Sequence, residues 1–260
     1  MKSPSRISWA SSALAAALYC LPANASIFIT AICKEGIVAV ADSRLSFSDN
    51  VTGLPIAYAD GLDKIISFDR AILAETGQGF MSEERFDLFV HRFAESSGSL
   101  PVENILPALL EYAGRRLPAE DYQIVARQHM AVAKFRNGKA VICGYDGRMG
   151  PCIDRAYIQS SPTDFEKLLS RLPHMTALET ASEARASMER YIETHHKSTS
   201  MGGEFQAVLL TPDGTRQLWP LRHRIEARTI DELIALVTAR RLPVTLIPPA
   251  TWDDLRKLLE

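Results

Sequence analysis

From Ser26 the chain reads Ser-Ile-Phe-Ile-Thr-Ala-Ile, then Lys34-Glu35-Gly36, then an apolar run from Ile37 to Ala41 that ends at Asp42. Two β-rich runs around a short Gly-containing turn predict a hairpin. The interval from Ser46 to Gly61 is largely polar, contains Gly and Pro and has no sustained period, which predicts a loop. Lys64 to Phe68 and Ala71 to Thr76 predict a second strand pair. Beyond Gly77-Gln78-Gly79, the stretch from Met81 to Glu95 sets Phe86, Leu88, Phe89, Val90 and Phe93 on a mainly apolar helical face. A second helix is expected from Val102 to Arg116, with Pro107 kinking it.

Met130 to Phe135, Asn137-Gly138 and Lys139 to Gly144 form the strongest hairpin signal in the chain, since Asn-Gly favours the type I′ turn that matches strand twist. Arg155 to Gln159 is expected to extend that sheet. Helical patterns follow over Thr163 to Leu172 and Ala177 to Thr194. Phe205 to Leu210 and Thr215 to Trp219 flank Pro212-Asp213-Gly214 as a last hairpin. Segregated runs of strands and helices predict a layered α+β domain, with helices outside two stacked sheets. After residue 224 a helix (Ile230 to Arg240), a short strand (Val244 to Ile247) and a helix (Thr251 to Leu258) read as a short C-terminal α/β appendage, residues 225–260.

Composition narrows the partners. A formal charge of -2 over 260 residues offers no basic face for wrapping nucleic acid. Lys2 and Arg6 precede an apolar stretch from Trp9 to Leu21, and Ala23-Asn24-Ala25 supplies the small-x-small pattern of a signal-peptidase site. The stretch is shorter than the ~20 residues a permanent membrane helix needs. Residues 1–25 are therefore read as a removable leader, with cleavage before Ser26 and a periplasmic or secreted product. If they are instead a self-cleaved propeptide, the product is cytoplasmic.

The four cysteines, Cys20, Cys33, Cys143 and Cys152, show no metal spacing, and the three outside the leader allow at most one bridge. Cys33 and Cys143 sit in apolar runs and read as small buried thiols. His195-His196 has no third ligand at metal spacing, and cationic residues are favoured at a helix C-terminus in any case. No metal or cofactor is expected.

Gly36-Ile-Val-Ala-Val-Ala-Asp-Ser-Arg44 resembles the signature of proteasome β-subunits, which are N-terminal-nucleophile (Ntn) hydrolases. In that family the nucleophile is the first mature residue and an aspartate follows sixteen positions later; Asp42 stands sixteen positions after Ser26. Leader cleavage and family register thus select the same residue. Further along, Lys64-Ile-Ile-Ser-Phe is similar to the strand of the family's active-site lysine, and Leu73-Ala-Glu-Thr-Gly77-Gln-Gly79 to its glycine-bearing turn. Gly144-Tyr-Asp with Gly150-Pro151, and Ser200-Met-Gly202-Gly203, resemble later family segments.

The resemblance implies a four-layer αββα sandwich over residues 26–224 and an amide hydrolase, most naturally a peptidase, that self-associates into a ring. It implies Ser26 as nucleophile with its own α-amine as base, an amine whose ordinary pKa is about 7.7–8.0. Lys64 would depress that pKa by like-charge repulsion, Asp42 would orient the lysine, and the N–H of Gly77, or of Gly79, would hold the oxyanion. Arg44 is assigned a supporting role. Ser198 falls where the family has a late aspartate, and Ser160 or Ser161 where it has a further serine. Ser26 stands where most active members carry Thr, whose methyl restricts the rotamer. An amidase or acylase on a small substrate, or a non-catalytic assembly subunit, would use the same fold.

Overall fold

The computed structural model describes residues 26–49, 51–77, 79–81, 83–158, 165–195 and 201–259. Among the described residues thirteen strands form three antiparallel sheets, and with seven α-helices they make a mixed α+β fold. The first hairpin, β1 (Phe28–Cys33) and β2 (Gly36–Asp42), pairs from Phe28↔Ala41 to Cys33↔Gly36. It forms the middle of a five-stranded sheet in the order β10-β1-β2-β11-β12, with β10 at Ala156–Ile158, β11 at Phe205–Thr211 and β12 at Gly214–Trp219.

The second five-stranded sheet runs β5-β6-β7-β8-β9. It is built from β5 (Ile65–Phe68), β6 (Ala71–Thr76), β7 (His129–Arg136), β8 (Lys139–Asp146) and β9 (Met149–Ile153). The Asn137-Gly138 turn between β7 and β8 takes positive φ at both residues, as a type I′ hairpin requires.

Side-chain alternation along β6 sorts the core. Ala71 and Leu73 join a cluster with Phe86, Phe89 and Phe93 of α1 (Phe86–Ser97), Leu106 and Leu109 of α2 (Val102–Arg116), and Val125 of α3 (Ala119–Arg127). Ile72 and Ala74 face the opposite way, into a cluster with Phe28, Ile37, Ala39 and Ala41 of the first sheet. On β1 the same period of two sends Ile29 and Ala31 toward Leu168 of α4 (Glu166–Arg171) and Ala181, Ala184 and Met188 of α5 (Ala177–His195). Strands buried on both faces read as unbroken apolar runs, which is why β2 and β6 stand out in the sequence. Each large side chain buried in this way contributes roughly 1.5–3 kcal/mol.

Helix starts follow local chemistry. At α5, α6 (Ile230–Thr238) and α7 (Trp252–Leu259) a threonine just before the helix accepts a hydrogen bond from the backbone N–H three residues on, and the acidic side chain there reaches back. Thr176 pairs with Glu179 and Thr251 with Asp254, while at Thr229 the Glu232 carboxylate accepts from the N–H of Arg228, one residue earlier. Reciprocal caps of this kind satisfy donors the helix itself leaves orphaned.

The chain departs from the sequence-based expectation in several places. The expected loop from Ser46 to Gly61 contains strand residues, because β3 (Arg44–Ser48) and β4 (Pro55–Asp60) pair as a hairpin joined by β13 (Thr245–Leu246). Leu45, Phe47, Ala57 and Ala59 alternate into a cluster with Ile225, Ile230, Leu233, Val237 and Leu255. The hairpin's apolar face is thus covered by residues about two hundred positions away, and no local window reveals it.

The segment at Arg155 to Gln159 does not extend the β7–β8 sheet. Ala156–Ile158 pairs with β1 in the other sheet, and Met149–Ile153 takes the place beside β8. Gln159 lies outside the described residues. Cys143 is not a thiol but is bonded to Cys152 across β8 and β9, leaving Cys33 as a buried free cysteine.

The first helix begins at Phe86 rather than Met81, because Arg85 is extended and its N–H is committed to the Arg228 carbonyl at 2.7 Å. Helix α3 has no counterpart in the sequence-based reading. Among the described residues no helix is long and apolar enough to cross a membrane.

Candidate functional site

The β1–β2 hairpin brings the start of its first strand against the end of its second. Asp42 N donates to Ile27 O at 3.2 Å, and Ile27 N donates to Asp42 Oδ1 at 3.1 Å. The sixteen-residue separation of Ser26 and Asp42 is therefore the length of one strand out, a two-residue turn and one strand back. Lys64 arrives from the second sheet, at the residue before β5.

These three side chains make one buried cluster. Lys64 Nζ donates to Ser26 Oγ at 2.6 Å and to Asp42 Oδ1 at 2.9 Å. Lys64 and Asp42 are 0% exposed and Ser26 is 3% exposed in the full chain. A buried ion pair is tolerable only when its remaining donors and acceptors are met. Here Asp42 Oδ2 accepts from Gly202 N at 3.1 Å, so both carboxylate oxygens are occupied.

The Asp42-Ser43-Arg44 run is a row of anchors. Ser43 O accepts from Gly61 N and Leu62 N at 3.0 and 2.9 Å, fastening the segment that leads to Lys64. Arg44 pairs with Asp60 at 2.9 Å, lies 3.7 Å over the Tyr58 ring, and donates to Met201 O at 3.2 Å. It thus braces the turn that offers Gly202 N to Asp42. That turn needs glycine: at Gly203, with φ 82°, a Cβ would stand 2.5 Å from Asp60 Oδ1.

Gly77 follows β6 with φ 138°, and a Cβ there would meet Gln128 Cγ at 3.0 Å. It shares the Lys64 end of the β5–β6 pair, where Glu75 N donates to Lys64 O at 3.0 Å. It makes no hydrogen bond to Ser26, Asp42 or Lys64 among those described. Ser160, Ser161 and Ser198 lie outside the described residues.

Glu75 is a residue that motif reading passed over. It is 1% exposed, and its Oε2 has no hydrogen-bond partner. Burial pushes its carboxyl up to about 8; Lys64 pulls it down, while Asp87 and Asp42 push it further up. Glu75 is therefore protonated at neutral pH and does not compete with Asp42 for the lysine. The available signal was a lone acidic residue after the apolar run Ala71 to Ala74 of its strand. Gln206 of β11 was also missed; it is fully buried, on the face of its strand that meets the second sheet.

In the full chain the Ser26 nitrogen is a peptide nitrogen; cleavage of the Ala25–Ser26 bond would turn it into an amine beside its own hydroxyl and Lys64. Such a cluster can activate a hydroxyl for acyl transfer. Among the described residues no three His, Cys, Asp or Glu side chains gather as a metal site. No protein-family model matches the sequence, and no curated protein matches it significantly.

Proposed function

We propose that the protein is an N-terminal-nucleophile amide hydrolase, acting as a peptidase, with Ser26 as its nucleophile once residues 1–25 are removed. The observation that carries this reading is the pair of bonds from Lys64 Nζ to Ser26 Oγ and Asp42 Oδ1 at the first strand of the chain. An apolar cluster between the two five-stranded sheets, with a helix-bearing cluster on the far side of each, supports an αββα sandwich over residues 26–224.

The freed α-amine takes the Ser26 hydroxyl proton as Oγ attacks the substrate carbonyl, and the Lys64 ammonium donates to the developing alkoxide. Like charge at Lys64 keeps the amine neutral and able to accept. The Gly77 N–H holds the oxyanion. Collapse of the tetrahedral species breaks the C–N bond, and the amine passes its proton to the departing nitrogen. Water then hydrolyses the Ser26 ester and restores the hydroxyl. The cross-strand disulfide supports a site of action outside the reducing cytoplasm, and self-association into a ring belongs to the same reading.

N-terminal sequencing and intact mass of the protein from its native host test the proposal. A chain starting at Ser26 that cleaves peptide amides, with activity lost in Ser26→Ala, is the expected result. A chain starting elsewhere, or a fully active Ser26→Ala variant, overturns it.

A further inference from the structure

We propose that Gln206 and Asp63, closed by Arg224, form a clamp that positions Lys64 on Ser26. The proposal rests on the hydrolase reading above for its consequence, but its geometry stands independently. Lys64 sits just after a connection, residues 61–63, that belongs to no strand. A lysine side chain has four rotatable bonds and about 2 kcal/mol of rotamer entropy, so its Nζ holds one place only if its backbone is fixed.

With the Gln206 amide oriented so that both ends are satisfied, its oxygen accepts from Lys64 N at 2.6 Å and its nitrogen donates to Asp63 Oδ1 at 3.0 Å. The other Asp63 oxygen faces Arg224 Nε at 3.5 Å. Ile225 N donates to Gly61 O at 2.9 Å, so the same incoming segment also ties down the first residue of the connection.

The setting shows why an amide is required. Gln206 is 0% exposed, and its same-face neighbours on β11, Val208 and Leu210, pack against the second sheet. A polar group on that stripe costs stability unless it is bonded at both ends. Lys64 N needs an acceptor and Asp63 needs a donor, one beside the other. Methionine supplies neither, and a carboxylate supplies only the acceptor while repelling Asp63.

Gln206 lies one residue beyond Phe205, the partner of Asp42 across β2 and β11. The strand pair that carries the Asp42 carboxylate therefore also carries the group that fixes the Lys64 backbone. Gln206 is a positioning residue in this scheme, since it touches neither Ser26 nor Asp42.

The charged groups around the clamp set its response to pH. Asp63 feels Arg224 and Arg85 as attractive neighbours and Asp87 and Glu226 as repulsive ones, and burial pushes its carboxyl up. A second carboxyl introduced by Gln206→Glu would share one proton with Asp63 at low pH and lose it at high pH.

The test compares wild type, Gln206→Met, Gln206→Glu and Asp63→Asn by peptide hydrolysis, by thermal melting, and by side-chain NMR of Lys64 assigned through Lys64→Arg. Gln206→Met is expected to lower kcat by roughly a hundredfold with little change in KM, because the lysine is displaced while the binding groups are not. Its Lys64 resonance should shift. For Gln206→Glu, activity relative to wild type should recover as pH falls, a response that a merely structural role would not give.

Wild-type kcat together with an unchanged Lys64 resonance in Gln206→Met overturns the clamp. If Gln206→Met does not fold, Asp63→Asn decides by the same two readouts. An inactive wild type whose Lys64 resonance still moves in these variants leaves the clamp standing and removes the hydrolase reading.

Discussion

Lys64 Nζ and Ser26 Oγ lie 2.6 Å apart although their residues are 38 positions apart and lead into strands of different sheets. The strands these two residues lead into meet at the apolar layer holding Phe28, Ile65, Ile72 and Ala74, so the contact depends on the packing between the sheets. Removing the lysine would leave Asp42 buried with only backbone donors. Lys64→Met should therefore cost about 3–5 kcal/mol of stability, the range for breaking one side of a buried ion pair. Urea denaturation would show it, and hydrolysis should disappear with it.

Glu75 contributes to stability with a pH dependence opposite to that of a salt-bridged carboxylate. Its folded value is raised from 4.5 to about 8, so across that window the folded chain holds a proton that the unfolded chain releases. The contribution of Glu75 to stability therefore falls as pH rises from near 4.5 to near 8 and levels off above. Glu75→Gln should melt like wild type at pH 4 and several degrees higher at pH 8. A difference that stays constant over this range would show that Glu75 titrates as an ordinary carboxyl.

The Cys143–Cys152 bond closes a short loop, with a sequence separation of 9, between β8 and β9. A loop of that size confines the unfolded chain enough to contribute about 2–3 kcal/mol. Reduction should lower the melting temperature accordingly. Thiol counting on denatured but unreduced protein starting at Ser26 should find one free cysteine, Cys33; three would refute the bridge.

Two glycines with positive φ separate strain from collision. A side chain at Gly138 meets nothing within 4 Å, so Gly138→Ala should cost only the left-handed conformation, about 1–2 kcal/mol, and spare activity. Gly203→Ala would in addition strike Asp60, loosening Arg44 and the turn that carries Gly202. Its activity should fall more than its stability alone explains, as measured by kcat at a temperature where both variants are folded.

What could be read from the sequence follows where the physics is local. The β1–β2 hairpin, the Asn137-Gly138 turn and the capped C-terminal helices announce themselves within windows of about ten residues. Asp42 is a candidate through family spacing and Lys64 through the strand it opens, and in the folded chain Lys64 Nζ donates to both Ser26 Oγ and Asp42 Oδ1. The β3–β4 hairpin escaped because Leu45 and Phe47 find their cover in Leu233 and Val237, far along the chain. The strand at Ala156–Ile158 is legible in the sequence, but proximity assigns it to the neighbouring β7–β8 sheet, whereas it crosses to β1. Gln206 and Glu75 escaped because a single polar residue in a strand says nothing of its partner until both sheets are in place.

The ties from Ile225 to Gly61 and from Arg224 to Asp63 also impose an order in time. Synthesis runs from the N-terminus, and domains begin to fold as they emerge. A nascent chain that ends before Arg224 already contains Ser26, Asp42 and Lys64 but lacks the strap across residues 61–63. Chains stalled at that point should show residues 61–63 open to protease, and chains carried a few turns past it should not. The backbone that carries Lys64 would thus be fastened only after residue 225 has emerged.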